Sequence, residues 1–150
     1  MLIAGVPGLG AIPFATDVAQ SYASTLDDFT EAFNAYLVGH LDHVIGSDKK
    51  KKSNKKQEKS RVIYFDEARV LGDYIDSKRD LVGWNVRDAC LEGVYPNEKT
   101  LRKLCDDAER HVWHDIYHPN TRTHRELGRA ALEGLVEGVR GERVSRWLAL

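Results

Sequence analysis

Residues 96–119 read PNEKTLRKLCDDAERHVWHDIYHP, and the placing of this stretch decides the fold. Stepped at about 100° per residue, Leu101, Cys105, Ala108, Val112 and Ile116 line one stripe, the pattern of an amphipathic helix. Asn97 stands where an N-cap belongs, and Pro119 stands where a helix must stop. The spacing predicts a helix over 97–118. On it Asp107, His111, His114 and His118 lie within about 60° of one another, beside the apolar stripe.

Further helices are expected outward from this one. Downstream, the spacing predicts a helix over 121–139, ended by Gly141 and followed by a short amphipathic tail with Val144, Trp147 and Leu148. Upstream, 66–77 carries Val70, Leu71, Tyr74 and Ile75, and 79–91 carries Leu81, Trp84, Cys90 and Leu91; both read as short helices. Val62-Ile63-Tyr64-Phe65 has strand-like composition but no evident partner, so it reads as the entry to a helix. Val18, Tyr22, Leu26, Phe29, Phe33, Tyr36, Leu37 and Val44 share one face and predict a long helix over 16–45, or two if Ser24 or Thr25 restarts it. His40 falls on that face and reads as a hydrogen-bonded core histidine.

The fold class expected is therefore all-α. Five to six amphipathic helices surround one core, with an extended apolar N-terminal arm and a Lys-rich loop. The boundaries are 1–14 for the arm, 15–46 for the long helix, 47–60 for the basic loop and 61–150 for a compact helical region, all in one domain. The 150 residues, 42% hydrophobic and 30% charged, suit a globular chain of that size.

Charge is unevenly spread. Residues 48–61 hold eight cations against Asp48 and Glu58, a net +6, which leaves −7 for the remainder of a chain that totals −1. Lys49, Lys50, Lys51, Lys52, Lys55 and Lys56 suit an acidic partner or an anionic membrane surface. Nucleic acid is not expected, because little aromatic interleaving or groove-reading motif accompanies the run. The apolar stretch at the N-terminus is interrupted by Pro7 and Pro13, and is short of the ~20 residues a spanning helix needs.

Two chemistries compete. Histidines three and seven apart on one helix, with Asp107 as an oxygen donor, can face a common zinc or manganese ion. That would make the chain a small metal-dependent hydrolase or nuclease using His111, His114, His118 and Asp107. Better-known His-Asp patterns do not fit: no aspartate follows Asp115, position 118 is not tyrosine, and His-Glu-x-x-His is absent. Cys90 and Cys105 read as buried free thiols, with a disulfide between them as the alternative.

Phe65-Asp66, Arg69, Tyr74, Asp80, Trp84, Arg87, Pro96, Leu104, Cys105 and Arg110 carry a partial resemblance, over residues 65–111, to subunit Va of cytochrome c oxidase. The resemblance implies a non-catalytic, helical-repeat, membrane-peripheral subunit of a mitochondrial respiratory complex. The segment Gly5–Gln20 is similar in composition to apolar Gly-Pro segments that precede toxin domains in bacterial polymorphic toxins, which implies a nuclease-like use of the histidines. The expectation taken forward is the first: a non-catalytic accessory subunit with no catalytic residue and no cofactor. Leu2, Ile3, Val6, Ile12, Phe14 and Trp147 would contact neighbouring subunits. The compartment would be the mitochondrion under that resemblance, and the cytoplasm without it.

Overall fold

The computed structural model describes residues 1–48, 62–93, 102–140 and 147–149. It is a mixed α/β fold, not the all-α bundle expected. Among the described residues there are three α-helices, α1 (Ala23–Asp48), α2 (Glu67–Arg79) and α3 (Thr121–Arg140), and three small sheets. The Lys-rich segment lies outside the described residues, apart from Asp48.

The first sheet explains the strand-like run. β2 (Ile63–Phe65) pairs in parallel with β1 (Leu2–Ala4) and antiparallel with β7 (Trp147–Ala149). Its partners come from the two ends of the chain, beyond the reach of local pattern. The arm is thus built into the fold. Asn34 on α1 clasps Val6 at both backbone groups, accepting from its N–H at 2.8 Å and donating to its carbonyl at 2.9 Å. Asp27 accepts from the Gly10 N–H at 3.0 Å, where a side chain on residue 10 would strike the carboxylate.

This docking uses a face of α1 other than the aromatic one. Thr30 and Leu41 are buried, whereas Phe29, Phe33 and Tyr36 remain exposed, as do Val18 and Tyr22 in the short turns ahead of the helix. His40 is exposed and stacks on Tyr36.

The 79–91 stretch is not a helix. Gly83 takes a positive φ of 78°, which ends the turn after α2 and costs a glycine little. The chain then runs extended as β3 (Asn85–Ala89), paired in parallel with β6 (His111–Trp113). β4 (Leu91–Glu92) and β5 (Lys103–Leu104) form an antiparallel pair.

The helix expected over 97–118 lies outside the described residues at 97–101 and is not formed over 102–118, where buried non-local contacts override its periodicity. All three residues of β6 are buried. A strand covered on both faces shows no alternation by which sequence could reveal it. Trp113 is fully buried and donates its indole N–H to the Val86 carbonyl at 2.9 Å. Leu71, Ile75, Val112, Trp113 and Leu127 make one core where α2, α3 and β6 meet. Burying each such side chain stabilises by about 1.5–3 kcal/mol. The helical repeat implied by the respiratory-subunit resemblance is therefore not the architecture of the described residues of 65–111.

Two caps fix the core helices. Asp66 accepts from the Arg69 N–H at 3.1 Å to start α2, and Asn120 accepts from the Thr123 N–H at 2.8 Å to start α3. Trp84 lies between Lys78 and Arg122, whose cationic heads are 5.0 and 4.9 Å from its ring centroid, and so ties the two helices.

Candidate metal centre

β4 and β5 are registered Leu91 to Leu104, which brings the residues flanking them, Cys90 and Cys105, side by side. The Cys105 N–H donates to the Cys90 carbonyl at 2.9 Å, and the two sulphurs are joined in a disulfide. The second strand contact comes from β6 and the residue after it. The Cys90 N–H donates to the Trp113 carbonyl at 3.2 Å and the Leu91 N–H to the His114 carbonyl at 2.6 Å. Cys90 is therefore held from both sides and is 1% exposed, while Cys105 is partly open.

A short 3-10 turn over Ala108–Arg110 returns the chain to this corner and starts β6 at His111. His111 Nδ1 stands 3.4 Å from Cys105 Sγ and 3.4 Å from Asp107 Oδ1. One donor atom each from Cys90, Cys105 and His111 lies within 4.8 Å of the others. Asn120 fixes the turn: its amide donates to the Ala108 carbonyl at 2.8 Å and to the His111 carbonyl. Thr123, fully buried, donates its hydroxyl to the Val112 carbonyl at 2.9 Å. The imidazole is thus placed by backbone held from α3.

Thiolate and imidazole are the donors zinc prefers, with bonds of roughly 2.3 Å to sulphur and 2.0–2.1 Å to nitrogen. Tetrahedral geometry with those bonds separates donors by roughly 3.3–3.8 Å, the sulphur pair lying widest. The 3.4 Å from His111 Nδ1 to Cys105 Sγ falls in that range. Reduction of the disulfide would free both sulphurs to bind. Soft donors of this kind disfavour manganese.

The histidine set expected from the helix is not assembled. Of that set only His111 reaches the Cys90–Cys105 corner; Asp107 approaches the His111 ring alone, 3.4 Å from its Nδ1, and His114 and His118 are exposed on the turn that follows β6. There Asp115 Oδ1 accepts from the N–H groups of Tyr117 and His118 at 2.8 and 2.7 Å, and the His118 Nδ1 sits 2.9 Å from Asp115 Oδ2. Burial pushes the Asp115 carboxyl up. The hydrogen bonds from the His118 ring and the two backbone N–H groups, with the His118 charge, outweigh this and hold it below the ordinary aspartate range.

The residues expected to meet partners lie as follows. Leu2 and Ile3 are in β1, Val6 is in the Asn34 clasp, Ile12 packs against the core, Phe14 packs on Tyr117 with centroids 5.1 Å apart, and Trp147 is opposite Phe65 in β7. Lys49, Lys50, Lys51, Lys52, Lys55 and Lys56 lie outside the described residues. No described helix is long and apolar enough to cross a membrane.

The sequence reading missed Cys90 and Cys105 as ligands because it set both on helix stripes. The available signal was spacing: two cysteines 15 apart, then a histidine 6 beyond the second. No protein-family model matches the chain, and no curated protein matches it. The Cys90, Cys105 and His111 donor set corrects the expectation of a non-catalytic accessory subunit without a cofactor. It favours the metal-dependent alternative.

Proposed function

We propose that this chain is a small zinc-dependent hydrolase whose metal is held by Cys90, Cys105 and His111 once the disulfide is reduced. The observation that carries the reading is the convergence of those three donors, from three separate stretches of chain, to within 4.8 Å. Three protein ligands leave one tetrahedral position for water, the arrangement of catalytic rather than structural zinc. Zinc in such a site brings the pKa of its water to about 7, which supplies hydroxide at neutral pH. The Asp107 carboxylate, exposed and 3.4 Å from His111 Nδ1, is the carboxylate beside that ring that would accept a proton. The Lys-rich segment that follows α1 in sequence suits an anionic substrate, so phosphodiesters are the class to test first.

A second reading has the exposed Asp107 carboxylate, 3.4 Å from His111 Nδ1, move in as a fourth ligand, so that the zinc is structural. Purification under reducing conditions separates the two. The expectation is one zinc per reduced chain and none per oxidised chain. A small phosphodiester should be hydrolysed in a chelator-sensitive, zinc-restored manner, and Asp107→Ala should retain the metal. Retained zinc without hydrolysis, lost on Asp107→Ala, supports the closed site. A reduced chain that takes up no zinc overturns both.

A further inference from the structure

We infer that Cys105 is a thiol–disulfide exchange site, the sulphur at which an incoming dithiol reductant opens the Cys90–Cys105 bond. Exchange requires a thiolate to approach one sulphur along the S–S axis and to expel the other. The two cysteines differ in exposure. Cys90 is 1% exposed and its backbone is bonded to both Cys105 and Trp113. Cys105 is partly open, and the chain on both sides of it is exposed: Lys103 and Leu104 before, Asp106 and Asp107 after. Leu104, next in the chain, keeps half its surface in solvent, an apolar foothold for a protein dithiol near this segment.

The chemistry balances as follows. One thiolate of the reductant bonds Cys105 Sγ, the Cys90–Cys105 bond breaks, and Cys90 leaves as thiolate. The second thiolate of the reductant attacks its own sulphur in the mixed disulfide and releases Cys105. Two electrons have passed to the chain, and the reductant departs as a disulfide. The released Cys105 sulphur lies within reach of His111 Nδ1, 3.4 Å away in the closed form. The consequence, which rests on the proposed function, is that the reduction frees the zinc ligands, so that the disulfide and metal-bound states exclude each other.

Two measurements on the full chain, both with chelator present, test the site. In the first, the oxidised protein is treated briefly with glutathione, alkylated and mapped by mass spectrometry. The adduct should be on Cys105; an adduct on Cys90 overturns the proposal. The second compares Cys90→Ser, which leaves Cys105, with Cys105→Ser, which leaves Cys90, in reaction with dithionitrobenzoate. Cys105 should react at least roughly tenfold faster; equal or reversed rates overturn it. Zinc is then added to chain reduced by dithiothreitol. Exchange at Cys105 without zinc uptake upholds the exchange site and removes the metal reading alone.

Discussion

His111 and His118 stand at the two ends of one turn of chain, and they came to different uses. Sequence spacing places them on one helix face, offered to one ion. In the fold, β6 begins at His111 and buries it beside two sulphurs, while His118 lies in solvent with its Nδ1 already engaged by Asp115. The difference teaches that a histidine's spacing does not make it a ligand. Each ring nitrogen has an aspartate near it, Asp107 at 3.4 Å and Asp115 at 2.9 Å; what sets His111 apart is burial beside two sulphurs. The largest expected effect tests this contrast directly. His111→Ala should weaken zinc binding to the reduced chain by at least about 100-fold, or ~2.7 kcal/mol, while His118→Ala should change it little. Competition against a chromophoric chelator reads both. A His118→Ala loss equal to that of His111→Ala would show the two imidazoles sharing an ion after all.

The contrast also depends on the backbone that holds the His111 end. Asn120 is 6% exposed, caps α3, and supplies the amide that satisfies the carbonyls of Ala108 and His111. Asn120→Ala leaves those carbonyls without that donor and removes the cap, a loss of about 2 kcal/mol in urea unfolding. Zinc affinity should fall with it, since the turn that aims the imidazole is no longer held. A stable Asn120→Ala protein with full affinity would mean that β6 pairing alone places His111.

Where a local signal governed, it was legible. The helices expected over 66–77 and 121–139 formed as Glu67–Arg79 and Thr121–Arg140, because their apolar periodicity and their buried faces agree. Legibility failed wherever a strand found its partner far away. Ile63–Phe65 had the composition of a strand, but the segments that complete it are residues 2–4 and 147–149. Cys105, Val112 and Ile116 kept a helical spacing by coincidence, since the disulfide, β6 and the loop after it place them separately. In the site, His111 and Asp107 were readable as polar residues beside an apolar stripe. The cysteines were not, because on a helix stripe a buried thiol looks like any small apolar residue.

The smallest effect concerns the His118 end. Asp115 has its folded pKa lowered, so its carboxylate contributes stability that is present above the unfolded pKa and lost as pH falls through the folded one. Asp115→Asn keeps an oxygen for the N–H groups of Tyr117 and His118 but removes the charge that holds the His118 ring. Because His118 is 69% exposed, that pair is screened, and the variant should be less stable near neutrality by under about 1 kcal/mol. Below the folded pKa the wild-type carboxyl is itself neutral, so the difference should close there. Urea titrations of both proteins near neutrality and in acid well under the ordinary aspartate pKa of about 3.9 measure the gap. A gap that persists in acid would show that the loss comes from exchanging an Asp115 oxygen for an amide nitrogen beside His118 Nδ1 and not from the lost charge.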